Sequence, residues 1–287
     1  LPNFKRKTAA GEYSASCPQC GGVDRFLFWE DRGNYWCRKR QCGLKGFISD
    51  NGNGHLSDED CARFMREAEE RTRQRKEERQ AALNGMADLD HIARTYHNQM
   101  TDRSYWYGQG LADEMVDRYL LGHCPSCPTH HASPSHTIPV FFRSKLLNIR
   151  HRLALPPSPG DKYRPHKAGL PAVIFNADVL LTPQDYVVLV EGEIKAMVLT
   201  QYGFPSVGIP GANIFKDRWV GWFAKQPTVY VALDPGADGH ARDIALMLGG
   251  RARLVSLPVK PDDFFVLYGG TAEQLGTFLW QGRKVKC

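Results

Sequence analysis

The chain has 287 residues, enough for two domains, and combines a net charge of +6 with 11% aromatic residues. This balance permits nucleic acid as a partner without requiring it. No apolar run has membrane-spanning length and the N-terminus lacks the apolar segment of a signal peptide, so we expect a cytoplasmic protein without a membrane partner. In a reducing compartment its eight cysteines are better suited to metal binding than to disulfides.

Residues 1–50 contain paired cysteines in the spacing C-x2-C-x16-C-x4-C, with glycines after each pair. Such turns direct two sulfurs at one ion, and four thiolates complete a tetrahedral structural Zn²⁺ site. The predicted zinc ligands are Cys17, Cys20, Cys37 and Cys42. Residues 25–30 and 34–37 have the pattern of strands, so the sequence predicts a zinc ribbon whose fold depends on the metal.

Aromatic and basic residues are interleaved in this segment. The aromatic ones are Phe26, Phe28, Trp29, Tyr35 and Trp36, and the basic ones are Arg25, Arg38, Lys39 and Arg40. They could stack on bases and neutralise phosphates of a single strand, or the aromatics could form the small core of the ribbon. We expect alternate aromatics to point inward.

Residues 51–86 have the features of a linker. Asn51-Gly-Asn-Gly54 interrupts regular structure, and Ser57-Asp-Glu-Asp60 resembles a helix start. A polar stretch of mixed charge follows, with Glu and Arg at i,i+4 spacing. This pattern favours a solvated helical linker over a nucleic-acid-binding arm.

Residues 87–135 begin with an amphipathic helical pattern and end in a cysteine- and histidine-rich segment. The apolar face of the helix comprises Leu89, Ile92, Ala93, Tyr96 and Met100. Further along, Cys124-x2-Cys127 with His130 or His131 could bind a second metal, or the segment could be an ordinary irregular loop.

Residues 136–185 contain two apolar segments, 137–143 and 145–154, that predict a strand pair with a tight turn. Basic and aromatic side chains accompany them: Arg150, Arg152, Lys162, Tyr163 and Arg164. These residues either contact phosphate, which suits the forked guanidinium of arginine, or form a solvated strand face.

Residues 186–287 repeat one arrangement, an apolar strand that ends on an acid. The first predicted strand ends on Glu191-Gly192 and the second on Asp234, while Asp262 and Asp263 follow a third. Valine- and leucine-rich strands without strict alternation predict a parallel sheet covered on both faces. Carboxylates at the carboxyl ends of such strands could hold Mg²⁺ or Mn²⁺.

The E-G step and the later aspartate resemble the TOPRIM domain of primases, topoisomerases and some nucleases. Two positions depart from its pattern: Lys195 replaces an acid four residues after Glu191, and Gly236 replaces the second aspartate of D-x-D. The resemblance implies a divalent ion held by Glu191, Asp234 and one or more other acids. Those further acids are Asp238, which could supply the missing ligand, and Asp262 or Asp263.

The whole order of motifs resembles that of the zinc-ribbon and TOPRIM DNA primases of bacteria, phages and mobile elements. Residues 103–122 also resemble a primase segment, with Gln109 in place of its arginine. The resemblance implies an α/β protein with a zinc ribbon for template recognition (1–50), a helical linker (51–86), a mixed α+β subdomain with a basic ridge (87–185) and a Rossmann-like TOPRIM catalytic domain (186–287).

The function implied by the resemblance is synthesis of short primers on single-stranded DNA from nucleoside triphosphates, alongside a replicative helicase. The ridge residues Arg150, Arg152, Lys162, Tyr163 and Arg164 would face template phosphates and the incoming nucleotide. Lys195 would either weaken one metal position or contact the triphosphate. Two alternatives stay open: a TOPRIM nuclease, and a non-catalytic single-stranded-DNA-binding module of a replication complex.

Overall fold

The structure of the protein, a computed structural model, describes residues 5–6, 12–17, 20, 25–29, 34–39, 42, 44–47, scattered positions between 66 and 81, and residues 88–127, 133–156 and 162–285. The chain divides into two compact units, Leu1–Ala81 and Ala82–Cys287. Within the described part of the chain, no helix is both long enough and apolar enough to cross a bilayer.

The described strands of the first unit form an antiparallel sheet in which consecutive strands are neighbours. They are β1 (Lys5–Arg6), β2 (Glu12–Ala15), β3 (Phe26–Trp29), β4 (Asn34–Cys37) and β5 (Lys45–Phe47). Phe26 and Phe28 point into a small core with the cysteines. Trp29 and Trp36 contact each other on the opposite face, with ring centroids 4.5 Å apart and planes tilted by 47°. The predicted alternation of the aromatics is confirmed.

The described residues between 66 and 81 are helical and mostly exposed. Arg73 pairs with Glu70 at 2.8 Å and with Glu77 at 3.7 Å, one turn away on either side. Such exposed pairs stabilise a helix by only about 0.3–0.5 kcal/mol each. The helical character predicted for this segment is therefore observed in its described residues.

The first part of the second unit joins short helices to an antiparallel sheet. The helices are α1 (Leu89–Asn98), α2 (Ser104–Gly108) and α3 (Asp113–Arg118). The strands are β6 (Gly122–Cys124), β7 (Ser135–Phe142), β8 (Lys145–Leu153) and β9 (Tyr163–Pro165), in the order β6-β7-β8-β9. The predicted hairpin is confirmed as β7 and β8, with a turn in which Arg143 and Ser144 have φ angles of 51° and 58°.

The remaining strands form a parallel sheet in the order β11-β10-β12-β13. They are β10 (Val187–Glu191), β11 (Ser206–Ile209), β12 (Val229–Val231) and β13 (Ala252–Leu254). The helices are α4 (Glu193–Gln201), α5 (Asp238–Leu248), α6 (Pro261–Val266) and α7 (Ala272–Trp280), and 3-10 turns occupy Ala177–Leu181, Ala212–Ile214, Asp217–Phe223 and Gly249–Arg251.

Both faces of this sheet are covered, as the sequence predicts. Val187, Val188, Leu189 and Val190 have no exposed surface, and alternate members contribute to two different core clusters. The second and third strands are shorter than predicted, since β12 ends at Val231 and β13 at Leu254. The last helix, α7, is capped by Thr271, which forms a capping box with Gln274.

Candidate functional site

The four cysteines of the first unit form a cluster that could bind zinc. Their sulfurs all lie within 4.8 Å of one another. Cys17 Sγ is 3.7 Å from Cys42 Sγ, and Cys20 Sγ is 3.5 Å from Cys37 Sγ. Two sulfurs bound to one tetrahedral Zn²⁺ are about 3.8 Å apart, so the cluster is close to the dimensions of a zinc site.

Backbone N–H groups support this cluster. The Cys20 amide donates to Cys17 Sγ at 3.5 Å and the Lys39 amide to Cys37 Sγ at 3.4 Å. Burial nevertheless raises the pKa of the Cys37 thiol to about 12, so its thiolate form needs a cation beside it. The donor set and its spacing therefore fit zinc, as predicted from the sequence.

The carboxylates of the second unit lie at one edge of the parallel sheet. Glu191 is the last residue of β10, and Asp234 follows the neighbouring parallel strand β12. Gly192 makes the turn into α4 with φ of +92°, a conformation that favours glycine. Gly208 on β11 has no room for a side chain, since a Cβ there would lie 2.3 Å from the Gly192 carbonyl oxygen.

Three of the predicted acids influence one another electrostatically. Burial raises the pKa of Asp234, Lys195 opposes that shift, and the charges of Glu191 and Asp262 add to it. Asp262 Oδ1 is buried without a hydrogen-bond donor from the described part of the chain, and the buried Asp234 Oδ1 has the Lys195 ammonium beside it. Buried carboxylate oxygens that lack donors suit a hard divalent cation.

Lys195 lies among these acids. Its Nζ is 3.2 Å from Asp234 Oδ1, and the two side chains are 14% and 22% exposed. Of the residues described, no three carboxylate oxygens converge within 4.8 Å of one another. The residues thus fit Mg²⁺ or Mn²⁺ in donor chemistry, while the lysine competes for one of the donors.

The other two predicted acids occupy helix starts. Asp238 is the first residue of α5 and is exposed, and Asp263 is in the first turn of α6 beside Asp262. The structure therefore brings Glu191, Asp262 and Lys195 close enough to Asp234 to act on its charge, and places Asp238 on the surface.

The basic ridge meets this site through a buried ion pair. Arg150 Nε on β8 lies 3.3 Å from Glu193 Oε1 in the first turn of α4, and the side chain of Glu193 is 3% exposed. The Arg150 guanidinium also lies over the ring of Tyr163, 5.4 Å from its centroid. Arg150 thus fixes the ridge to the helix that begins two residues after Glu191.

Arg152 belongs to an aromatic cluster on the same face of β8. Its guanidinium lies 5.2 Å from the Tyr105 ring centroid and donates to the Tyr105 hydroxyl. Tyr105 stacks on His136 with centroids 3.4 Å apart and an interplanar angle of 8°. Burial, together with the charges of His123 and Arg152, lowers the pKa of His136 to about 4, so His136 adds no charge at neutral pH.

The remaining ridge residues are on the other face of the sheet. Arg152 pairs with Tyr163 across β8 and β9, whereas Arg164 pairs with His151. Because successive side chains of a strand alternate between faces, Arg164 is opposite Arg152. Lys162 is exposed and immediately precedes β9, with its carbonyl accepting from the Leu153 amide at 2.9 Å. The residues predicted as one ridge therefore lie on two different faces of the sheet.

Solved structures with a similar arrangement of elements include primases. The zinc-binding and RNA polymerase domains of the Aquifex aeolicus primase match 99% of this chain and 81% of their own, with a TM-score of 0.58 and 15% identity. The chain has the fold of DnaG-type primases. The sequence matches no protein-family model and no curated protein.

Two further structures with the primase fold match only part of this chain. The catalytic domain of DnaG primase bound to single-stranded DNA matches 68% of this chain and 80% of its own, with a TM-score of 0.55 and 16% identity. The RNA polymerase domain of Mycobacterium tuberculosis DnaG matches 69% and 83%, with a TM-score of 0.55 and 14% identity. These matches confirm the predicted fold class.

Three residues of the site within this primase fold were not predicted from the sequence: Glu193, Tyr105 and His136. Glu193 is an acid in an otherwise mostly buried apolar helix, a signal that could have identified it. Tyr105 lies in the aromatic run 105–107, but its stacking on His136 depends on the docking of α2 against β7.

Proposed function

We propose that this chain synthesises short oligonucleotide primers on a single-stranded DNA template by nucleotidyl transfer from nucleoside triphosphates. The observation that carries the proposal is the group of Glu191, Asp234 and Asp262, in which the buried Asp262 Oδ1 has no hydrogen-bond donor among the described residues and Asp234 Oδ1 is paired with Lys195. The Arg150–Glu193 pair connects this group to the basic ridge. The primase fold supports the same function but does not by itself establish activity.

The acids would hold a catalytic Mg²⁺ or Mn²⁺, with Glu191 and Asp234 as ligands and Asp238, Asp262 or Asp263 completing the set. When bound, such an ion neutralises triphosphate charge and activates a 3′-hydroxyl. The chain's own residues position the reactants: Arg152 presents a guanidinium to phosphate, and its stacked aromatic neighbours hold that guanidinium in place.

Template binding would involve both units. Lys162 and Arg164, on the other face of β9, would extend phosphate contact along the strand. In the ribbon, residues 1–50, the neighbouring rings of Trp29 and Trp36 would offer an aromatic surface for bases, with Trp36 44% exposed. The proposal includes the domain limits 51–86, 87–185 and 186–287, a cytoplasmic location and a replicative helicase as partner.

A second candidate function is template binding without catalysis. The observation that favours it is the ion pair between Lys195 and Asp234, which occupies a carboxylate expected to bind metal. The loss of a carboxylate at Gly236 points the same way. In that case the second unit would hold single-stranded DNA for another polymerase.

The deciding experiment incubates the protein with single-stranded DNA, nucleoside triphosphates or deoxynucleoside triphosphates, and Mg²⁺ or Mn²⁺. New oligonucleotides that disappear in Glu191→Gln support primer synthesis, and Glu273→Gln, an exposed carboxylate on α7, is the matched control. Shortened template would indicate a nuclease. Template binding without synthesis under every condition would leave the non-catalytic module as the function.

A further inference from the structure

A second cluster of metal-binding side chains lies in the second unit, apart from the acids. Cys124 at the end of β6, Cys127 just after it and His151 on β8 place one ligand atom each within 4.8 Å of the others. Their exposed fractions are 1%, 0% and 0%. We propose that these residues form a second structural Zn²⁺ site.

Strand pairing explains why these residues meet. β6 pairs with β7, which places Cys124 opposite Ser135, and β7 pairs with β8, which places Thr137 opposite His151. Because Ser135 is in turn opposite Leu153, two residues from His151, the side chains of Cys124 and His151 point to the same side of the sheet. The sequence suggested His130 or His131 as the partner of these cysteines, but both lie outside the described residues. The structure provides His151 instead.

Two ordinary alternatives are an apolar cysteine pair and a core histidine satisfied by hydrogen bonds. They do not explain the convergence of two thiols and an imidazole, the ligand types that Zn²⁺ prefers. His151 is also oriented as a ligand, because its Nδ1 lies 2.8 Å from Ser135 Oγ. A hydrogen bond of this kind fixes a ligating imidazole and leaves Nε2 for the metal.

His166, which directly follows β9, supplies the fourth ligand. Its Nδ1 lies 2.9 Å from His151 Nε2. Two nitrogens bound to one tetrahedral zinc ion are about 3.3 Å apart. Because His166 is not among the ligand atoms that already converge within 4.8 Å, its ring must move towards the two cysteines when the ion binds. The His166 amide donates to the Ile149 carbonyl at 2.7 Å, which anchors the residue beside β8. The resulting site has two sulfur and two nitrogen ligands.

This site would hold the strands beneath the basic ridge. Arg150 and Arg152 flank His151 in sequence and point to the opposite face of β8. An ion bound by β6, β8 and the residue after β9 fixes the positions of these strands. Tyr96 on α1 covers the cluster, with its ring centroid 5.9 Å from that of His151 and 6.2 Å from that of His166.

The test is a zinc count on the 287-residue chain by mass spectrometry after exhaustive dialysis. The natural protein should contain two zinc ions, and the variant in which all four ribbon cysteines become serine should retain one. The Cys124→Ser, Cys127→Ser double variant should also retain one, and Cys287→Ser, which removes an unrelated thiol, should retain two. A single zinc ion in the natural protein, or none in the ribbon variant, would overturn the proposal.

A second measurement does not depend on the folding of the Cys124→Ser, Cys127→Ser variant. In the ribbon variant, Co²⁺ added in place of zinc should give the visible absorption of a tetrahedral site with two sulfur ligands, and the spectrum of an octahedral aqueous ion would contradict it. The His166→Gln change should lower the zinc affinity of that site by at least about 100-fold in competition with a chromophoric chelator. An unchanged affinity would remove His166 from the ligand set.

Discussion

The lysine among the carboxylates gives the sharpest test of the metal site. Lys195 Nζ and Asp234 Oδ1 are 3.2 Å apart. Two unit charges at this distance attract by about 5 kcal/mol at an effective dielectric constant of 20, and by about 1.3 kcal/mol in bulk water. Since both side chains are partly exposed, we take about 2–3 kcal/mol as the attraction that a bound divalent ion must replace.

The Lys195→Ala change should therefore tighten Mn²⁺ binding by about 30- to 150-fold, the equivalent of 2–3 kcal/mol. Titration calorimetry on the zinc-loaded protein measures this affinity. Lys145→Ala, which removes an exposed lysine at the start of β8, is the matched control and should leave the affinity unchanged. Glu191→Gln should weaken binding, because it removes a proposed ligand.

The pH dependence of this affinity gives an independent check. Lys195 lowers the pKa of Asp234 against the effect of burial, so its removal should let the carboxyl bind a proton at higher pH. Protons then compete with the metal, and Mn²⁺ affinity should fall more steeply in Lys195→Ala than in the natural protein as pH decreases. Equal or weaker Mn²⁺ binding in Lys195→Ala at alkaline pH would refute the idea that the lysine competes with a metal.

Three further predictions concern the ridge and the ribbon. Arg150→Met should lower the free energy of unfolding by about 3–5 kcal/mol in denaturant titrations, because it leaves the Glu193 carboxylate buried and unpaired. The double variant Arg150→Met, Glu193→Met should regain most of the lost stability. Cys37→Ser should release one zinc ion per chain and increase hydrogen exchange in β3 and β4, whereas retention of that zinc would contradict the ribbon assignment. Arg152→Ala should reduce the slope of log affinity against log salt for single-stranded DNA by about 1. An unchanged slope would show that Arg152 makes no phosphate contact.

Local patterns were sufficient to predict the parallel sheet and the zinc cluster. Buried β10 consists of Val187, Val188, Leu189 and Val190, and its composition alone indicates a strand covered on both faces. The carboxylate at its end follows from the strand boundary. Similarly, the spacing of the ribbon cysteines specifies the ligand set without knowledge of the strands between them.

Long-range register could not be predicted in the same way. The pairing of β8 with β9 decides that Arg152 shares a face with Tyr163 while Arg164 shares one with His151. A shift of one residue would reverse both assignments, and nothing in the isolated segments specifies it. The Arg150–Glu193 pair likewise depends on the docking of one sheet against a helix of another.

The two departures from the TOPRIM pattern differ in whether the backbone conformation at the position favours an aspartate. Lys195 lies within α4, where an aspartate could replace it without a change of backbone conformation. Gly236 has φ of +89°, so an aspartate there would cost about 1–2 kcal/mol even though the space around it is open. We therefore expect Lys195→Asp to add a metal ligand and Gly236→Asp to fail. It follows that a further ligand beyond Glu191 and Asp234 would come from Asp262 on α6, whose buried oxygen lacks a donor from the described residues, rather than from the turn after β12.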